Sequence, residues 1–195
     1  MADPYPILAL DIATMTGWAL KASREAPAKY GSVRVGKGAE LGPFLAGALD
    51  WFERAFAAWR PKWVVYEAPQ LSATTNIQTL RKLYSLAALA DVAAVRVAER
   101  EKIPGLIVRE EYHSRVRRHF LGDGRPARPI PRGPKAEREA DRREYRARLK
   151  SAVIAECRRR GWFPDDDNAA DALALLAYAA DLLDPEGAAA RFELR

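Results

Sequence analysis

Three acidic residues, far apart in the chain, sit where a carboxylate could do chemistry. Asp11 closes the short apolar run Ile7, Leu8, Ala9, Leu10 that Pro6 introduces, and Glu67 closes a second, Val64, Val65, Tyr66. Asp171 lies one turn inside an alanine-rich stretch that opens with Asp165, Asp166 and Asp167. An ionised carboxylate left unpaired inside a strand is costly, so each needs a partner, a cation or a strand exit. Taken alone, Asp11 could simply cap the turn through Thr14, Thr16 and Gly17. Two strands that both end on an acid say more, because parallel neighbours would bring Asp11 and Glu67 to the same sheet edge. Like charges held that close share a cation or raise a pKa. Asp165 and Asp166 complement the dipole of a helix start. Asp171 instead shares a helix face with Asn168, three residues before it, and Asp167, four before it.

Hard carboxylate oxygens select Mg²⁺ or Mn²⁺. Two such ions roughly 4 Å apart serve an in-line displacement at a phosphodiester. With one cysteine and two histidines, the chain cannot supply a Cys/His zinc set. It carries no Walker loop and no paired-glycine dinucleotide fingerprint, so no nucleotide cofactor is expected.

The elements that must position these acids alternate between strand and helix. Residues 7–11, 18–21 and 29–35 are expected as strands, the later two continuing an antiparallel meander. From Leu41 to Trp59 the apolar residues recur at helical spacing, and Pro61 stops the helix. Strand 62–67 follows. A long helix to about Glu101 is capped by Thr74 or Thr75, with Leu80, Leu83, Tyr84, Ala87, Ala88, Asp91, Val95 and Ala98 along its inward stripe. Its alanines would allow close packing on a sheet or a second subunit. A strand at 105–109 precedes a helix over 115–121, opened by Ser114 and stopped by Gly122 and Gly124. Residues 122–140 have no periodicity and are read as a mobile basic loop. A helix over 141–160 turns Tyr145, Leu149, Val153 and Cys157 inward, and the acidic helix closes the pattern. This predicts one α/β domain over 1–195, a mixed five-stranded sheet flanked by helices.

Net charge is +6, but residues 109–160 hold 17 Lys/Arg against 8 Asp/Glu while the remainder holds 15 against 18. Such local positive charge suits a polyanion, although a solvated basic helix face would look the same. No run reaches the ~18 apolar residues of a membrane span, no basic-then-apolar leader opens the chain, and a lone cysteine suits a reducing compartment. A cytoplasmic protein without membrane partners is expected.

The segments LALDIATMTGW, VVYEAP and NAADALALLAYA resemble those of RuvC-like Holliday junction resolvases, in the RNase H-like superfamily. The stretch 114–122 (Ser-x-x-Arg-Arg-x-Phe-Leu-Gly) and the spacing of Lys150, Val153, Cys157 and Gly161 are similar to phage and prophage-type members. The resemblance spans residues 6–180 in the expected order. It implies an RNase H-like fold and a homodimeric, Mg²⁺-dependent crossover-junction endonuclease of DNA recombination and repair, acting on four-way DNA. By position, Asp11, Glu67 and Asp171 match the family's acids, and Lys150 a supporting basic residue. On this reading Asp11 bridges two ions and Glu67 and Asp171 hold one each. Where the family commonly has a further Asp or His, this chain has Asn168, whose carbonyl oxygen or neighbouring Asp167 would complete the set. Arg81, Lys82, Arg115, Arg117, Arg118, Arg125, Arg128, Arg132, Lys135, Arg143 and Arg146 are the expected DNA contacts, with Tyr84 and the 70–82 segment at the junction centre and dimer seam. Two other readings remain open: a nuclease for other branched or flap DNA, and a junction-binding module that no longer cleaves.

Overall fold

The computed structural model describes residues 3–38, 40–69, 76–130 and 134–188 of the 195-residue chain. Strand β1 (Ile7–Asp11) is the hub of a five-stranded sheet ordered β3-β2-β1-β4-β5. β2 (Met15–Lys21) pairs antiparallel with β1, and β3 (Lys29–Arg34) antiparallel with β2. On the other side β4 (Trp63–Glu67) and β5 (Ile107–Glu111) run parallel to β1. The meander plus parallel strands is the sheet expected from sequence.

Alternation along β1 splits the core in two. Leu8 and Leu10 face helices α1 (Leu41–Trp59) and α2 (Ile77–Arg100). Ile7 and Ala9 face α5 (Asp167–Leu183), flanked by α3 (His113–Leu121) and α4 (Lys135–Arg159). α5 is buried along most of its length, as a helix laid flat on a sheet under two others must be. α1 ends where expected: Arg60 turns left-handed at φ 44° and Pro61 follows.

Beyond β2, which begins at Met15 rather than at 18, four features differ from the sequence reading. Gly105, at φ +68°, takes a turn outside the ladder, so β5 begins at Ile107 rather than at 105 and carries Glu111 to the sheet edge. α3 starts at His113, leaving Ser114 inside its first turn. α4 starts at Lys135 rather than 141, so the loop expected over 122–140 is helical in its last six residues. The only buried residues of α4 are Leu149, Val153 and Cys157; its first half buries no residue fully, with only Glu139, Asp141 and Tyr145 half-buried, and a helix without a buried face leaves little periodicity to read. The fourth difference is rotational. α2 buries Leu86, Ala87, Ala90, Ala93, Ala94 and Val97, while Tyr84 and Val95 of the expected stripe are 47% and 59% exposed. The alanine face goes inward because α1 lies across it, and small side chains permit the closer approach. Thr74 and Thr75 lie outside the described residues; the side chain of Asn76 caps α2 by accepting from Thr79 N at 2.8 Å.

Cys157 is fully buried, its thiol 3.8 Å from the Ala170 carbonyl, and burial pushes its pKa up to about 12. Only the thiolate reacts. The folded protein should therefore resist a thiol reagent at pH 8 and label stoichiometrically once denatured. Complete labelling of folded protein within minutes would contradict that packing.

Candidate active site

The register Leu10↔Tyr66 places the ends of β1 and β4 side by side, about one strand spacing (~4.8 Å) apart. Strand alternation then turns Asp11 and Glu67 to the α5 side, in line with Ala9 and Val65. Both are half-buried at the strand exits. α5 brings the third acid. Its first turn is capped by Asp166, which accepts from Ala169 N at 2.8 Å and from the Ser32 hydroxyl.

What lets α5 come so close is Gly17, the residue opposite Asp11 in the β1–β2 register. A Cβ there would lie 2.0 Å from the Asn168 carbonyl oxygen and 2.4 Å from its carbon. Backbone packs on backbone, and Asp171 is carried in to 9% exposure.

The acids sense one another. Burial, then the Asp171 carboxylate, pushes Asp11 up to about 7, against the opposing pull of Arg117 and Lys150. Burial, then Asp11 and Asp171, raises Glu67 well above the usual carboxylate range. Asp171 is raised by burial, although the Arg117 guanidinium donates to its Oδ2 at 2.8 Å. Asp167 is different: the Lys150 ammonium donates to it and holds it below the ordinary range. The structure thus brings Asp11, Glu67, Asp171, Asp167 and Lys150 into one neighbourhood, with Asn168 half-buried beside them.

Among the described residues no three His, Cys, Asp or Glu side chains form a ready-made metal cage. Two carboxylates are instead held by protein cations, Asp171 by Arg117 and Asp167 by Lys150. Neither Asp11 nor Glu67 makes an ion pair among the described residues. Their raised proton affinity marks a place short of positive charge, and their hard oxygen donors fit a divalent cation.

The basic residues divide. Arg117 was expected on DNA, but its side chain is only 11% exposed and turned onto Asp171. Lys82 lies with its ammonium 4.9 Å from the Phe44 ring centre, covering α1. Arg81, Arg118, Arg128, Lys135, Arg143 and Arg146 are exposed and Arg125 half-buried. Arg115 is exposed but reaches back to Glu111 at 3.5 Å. Arg132 lies outside the described residues.

Sequence reasoning missed three contributors. Arg117, expected only as a DNA contact, pairs with Asp171 at 2.8 Å instead, and nothing in a run of arginines distinguishes it. Glu111, on β5 beside Glu67 in the register, is 2% exposed and held by Arg109 at 2.6 Å and the Tyr178 hydroxyl at 3.2 Å. Placing β5 two residues early hid it. His113 is the third; burial, then Arg117 and Arg125, lowers it to about 4, so it is neutral at pH 7.

No protein-family profile and no curated protein sequence matches the chain. Solved structures do. RuvC from Thermus thermophilus aligns at 16% identity and TM-score 0.57, over 87% of this chain and 89% of that one. The same protein in complex with a Holliday junction substrate aligns at 14% and 0.57, over 87% and 88%. The yeast mitochondrial Holliday junction resolvase Ydc2 aligns at 7% and 0.53, over 89% and 76%. At these identities the likeness is one of fold: the chain has the RuvC-like, RNase H-like α/β fold.

Proposed function

We propose that this chain is a divalent-cation-dependent endonuclease that resolves four-way DNA junctions. The observation that carries this reading is the mutual electrostatic perturbation of Asp11, Glu67 and Asp171 at one sheet edge, in a fold that RuvC uses on a Holliday junction. Asp11, Glu67 and Asp171 would hold Mg²⁺ or Mn²⁺, with Asn168 or Asp167 completing the set. Bound there, such ions supply Lewis acidity toward a phosphodiester and an activated water.

The chain's own residues do the rest. α5, seated on Gly17, keeps Asp171 facing Asp11 and excludes bulk water from behind the acids. Arg117 and Lys150 neutralise carboxylates in the resting protein. With those oxygens given over to a divalent cation, Arg117 and Lys150 would be free to offset charge developing on a phosphate. The exposed arginines of α3 and α4 contact backbone phosphates, which gives shape recognition and a steep salt dependence. The outward face of α2, with Ile77, Tyr84, Val92 and Val95 each exposed by 46% or more, is the proposed homodimer seam; a stripe of that kind on a surface helix calls for a partner.

One observation favours a second reading. Asn168 stands where an acid is expected, and the two flanking carboxylates are tied to protein cations. A junction-binding module without cleavage would look like this.

A synthetic four-way junction incubated with Mg²⁺ or Mn²⁺, beside duplex and flap DNA, decides. Paired symmetric cuts on the junction are the expected result. Tight junction binding with no cuts under either ion would leave the module, and cuts on flap DNA alone would move the substrate class.

A further inference from the structure

We infer that Tyr112 is a stacking platform for an unstacked base at the branch point, and so a determinant of junction over duplex DNA. The inference rests on the function proposed above and names a residue that reads that substrate. Tyr112 is the N-cap of α3, a position where Ser, Thr, Asp or Asn would satisfy a free helix N–H. It makes no side-chain cap, and the residue is 64% exposed. An aromatic residue that neither caps its helix nor packs in the core breaks a local rule, and such breaks mark functional positions.

Its place is specific. β5 runs parallel to β1 and β4, so its end emerges at the same edge as Asp11 and Glu67. Glu111, the residue before Tyr112, pairs with Glu67 in the register, and its carbonyl accepts from Ala68 N at 2.9 Å. Tyr112 is therefore about two strand spacings, roughly 10 Å, from the Asp11 backbone.

Its mount is rigid. The Tyr112 carbonyl accepts from Arg115 N at 2.8 Å and Val116 N at 3.1 Å. Glu111 is locked by Arg109 and Tyr178, and Val116 is fully buried. A fixed backbone with a projecting ring is the arrangement in which stacking costs little side-chain entropy. Arg115, one turn on, is 60% exposed while it pairs with Glu111 at 3.5 Å, and it would lie beside the adjoining phosphate.

A duplex offers this ring nothing, because its bases are already stacked. A branch point offers unstacked ones, and base–aromatic stacking is tolerant of sequence. Tyr112 would thus read branching rather than bases.

The test uses full-length protein, a four-way junction with 2-aminopurine at the branch nucleotides, and Tyr112→Ala and Tyr112→Phe. The parent should quench 2-aminopurine on binding and prefer junction to duplex. Tyr112→Ala should abolish the quench and reduce that preference about tenfold, with the salt slope of binding unchanged because no phosphate contact is lost. Tyr112→Phe should restore both. An Ala variant that quenches and discriminates like the parent overturns the inference alone. A Phe variant as poor as Ala also overturns it, pointing to the hydroxyl. A parent with no junction preference overturns the proposed function along with it.

Discussion

At pH 8 without divalent cations, Asp11→Asn should unfold at a higher temperature than the parent protein, while its junction cleavage falls more than about 100-fold. The sign follows from the carboxylates. Asp11 is held near 7 in the folded protein against an ordinary value of 3.8. Between those values the folded state keeps a proton that the unfolded chain has lost, so this group's contribution to stability declines as pH rises through the window and levels off above about 7. At 1.36 kcal/mol per unit, the penalty at pH 8 is of the order of 2–4 kcal/mol, or about 5–10 °C for a chain of this size. A neutral amide does not carry it. His113 acts in the opposite direction, since its lowered pKa makes stability rise between about 4 and 6.5. That contribution is common to both proteins and cancels in the difference. The variant-minus-parent gap in melting temperature should therefore widen from pH 5.5 to 8. Mg²⁺ or Mn²⁺ should raise the parent's melting temperature by mass action and the variant's much less. The activity loss has that floor because even the outer partners of metal ligands typically cost about 10–100-fold when removed. A variant less stable than the parent at pH 8, with a gap flat in pH, would falsify the picture of crowded, uncompensated carboxylates.

The second large effect is expected at a residue with no polar atom in its side chain. Gly17→Ala should cost about 2–4 kcal/mol and remove most cleavage. The added methyl would fall 2.0 Å from the Asn168 carbonyl oxygen. That obstacle is helix backbone, which cannot swing aside as a side chain would, so overpacking here sits at or above the usual 1–3 kcal/mol or so. Relief requires the first turn of α5 to lift off β2. Asp167 and Asn168 ride on that turn and Asp171 starts the next, and a displacement of about 1 Å at reacting groups can cost about 100-fold in rate. Gly42→Ala is the control: in α1, a Cβ there meets nothing within 4 Å, and the change should be neutral or slightly stabilising. Urea midpoints for both variants, with metal affinity by calorimetry, separate the outcomes. Equal midpoints for Gly17→Ala and Gly42→Ala would mean that α5 does not press on β2 as described.

Much of the fold was legible because burial writes itself into residue types. Apolar runs ended by Asp11 and Glu67 marked two adjacent parallel strands, and the spacing from Leu41 to Trp59 marked α1 to the residue. Where burial is absent the signal disappears. The first half of α4 buries no residue fully, so six helical residues after Pro134 read as loop. Where burial is by alanine it misleads, since the larger Tyr84 and Val95 suggested an inward stripe that the structure turns out to solvent.

Residue types and their order alone determined the α/β class, the acids at the ends of two strands and one helix, and the concentration of positive charge in one segment. Those follow from local chemistry: what a strand tolerates at its exit, what a helix start prefers, which side chains avoid water. The tertiary structure decided which cation faces which acid. Arg117, one arginine among many, turns inward because α3 packs Val116 and Phe120 beneath α5. Gly17, a turn residue by composition, became the seat of α5 only once β2 lay beneath it. Pairings across more than fifty residues depend on how helices settle on the sheet, and no spacing in the chain encodes that distance.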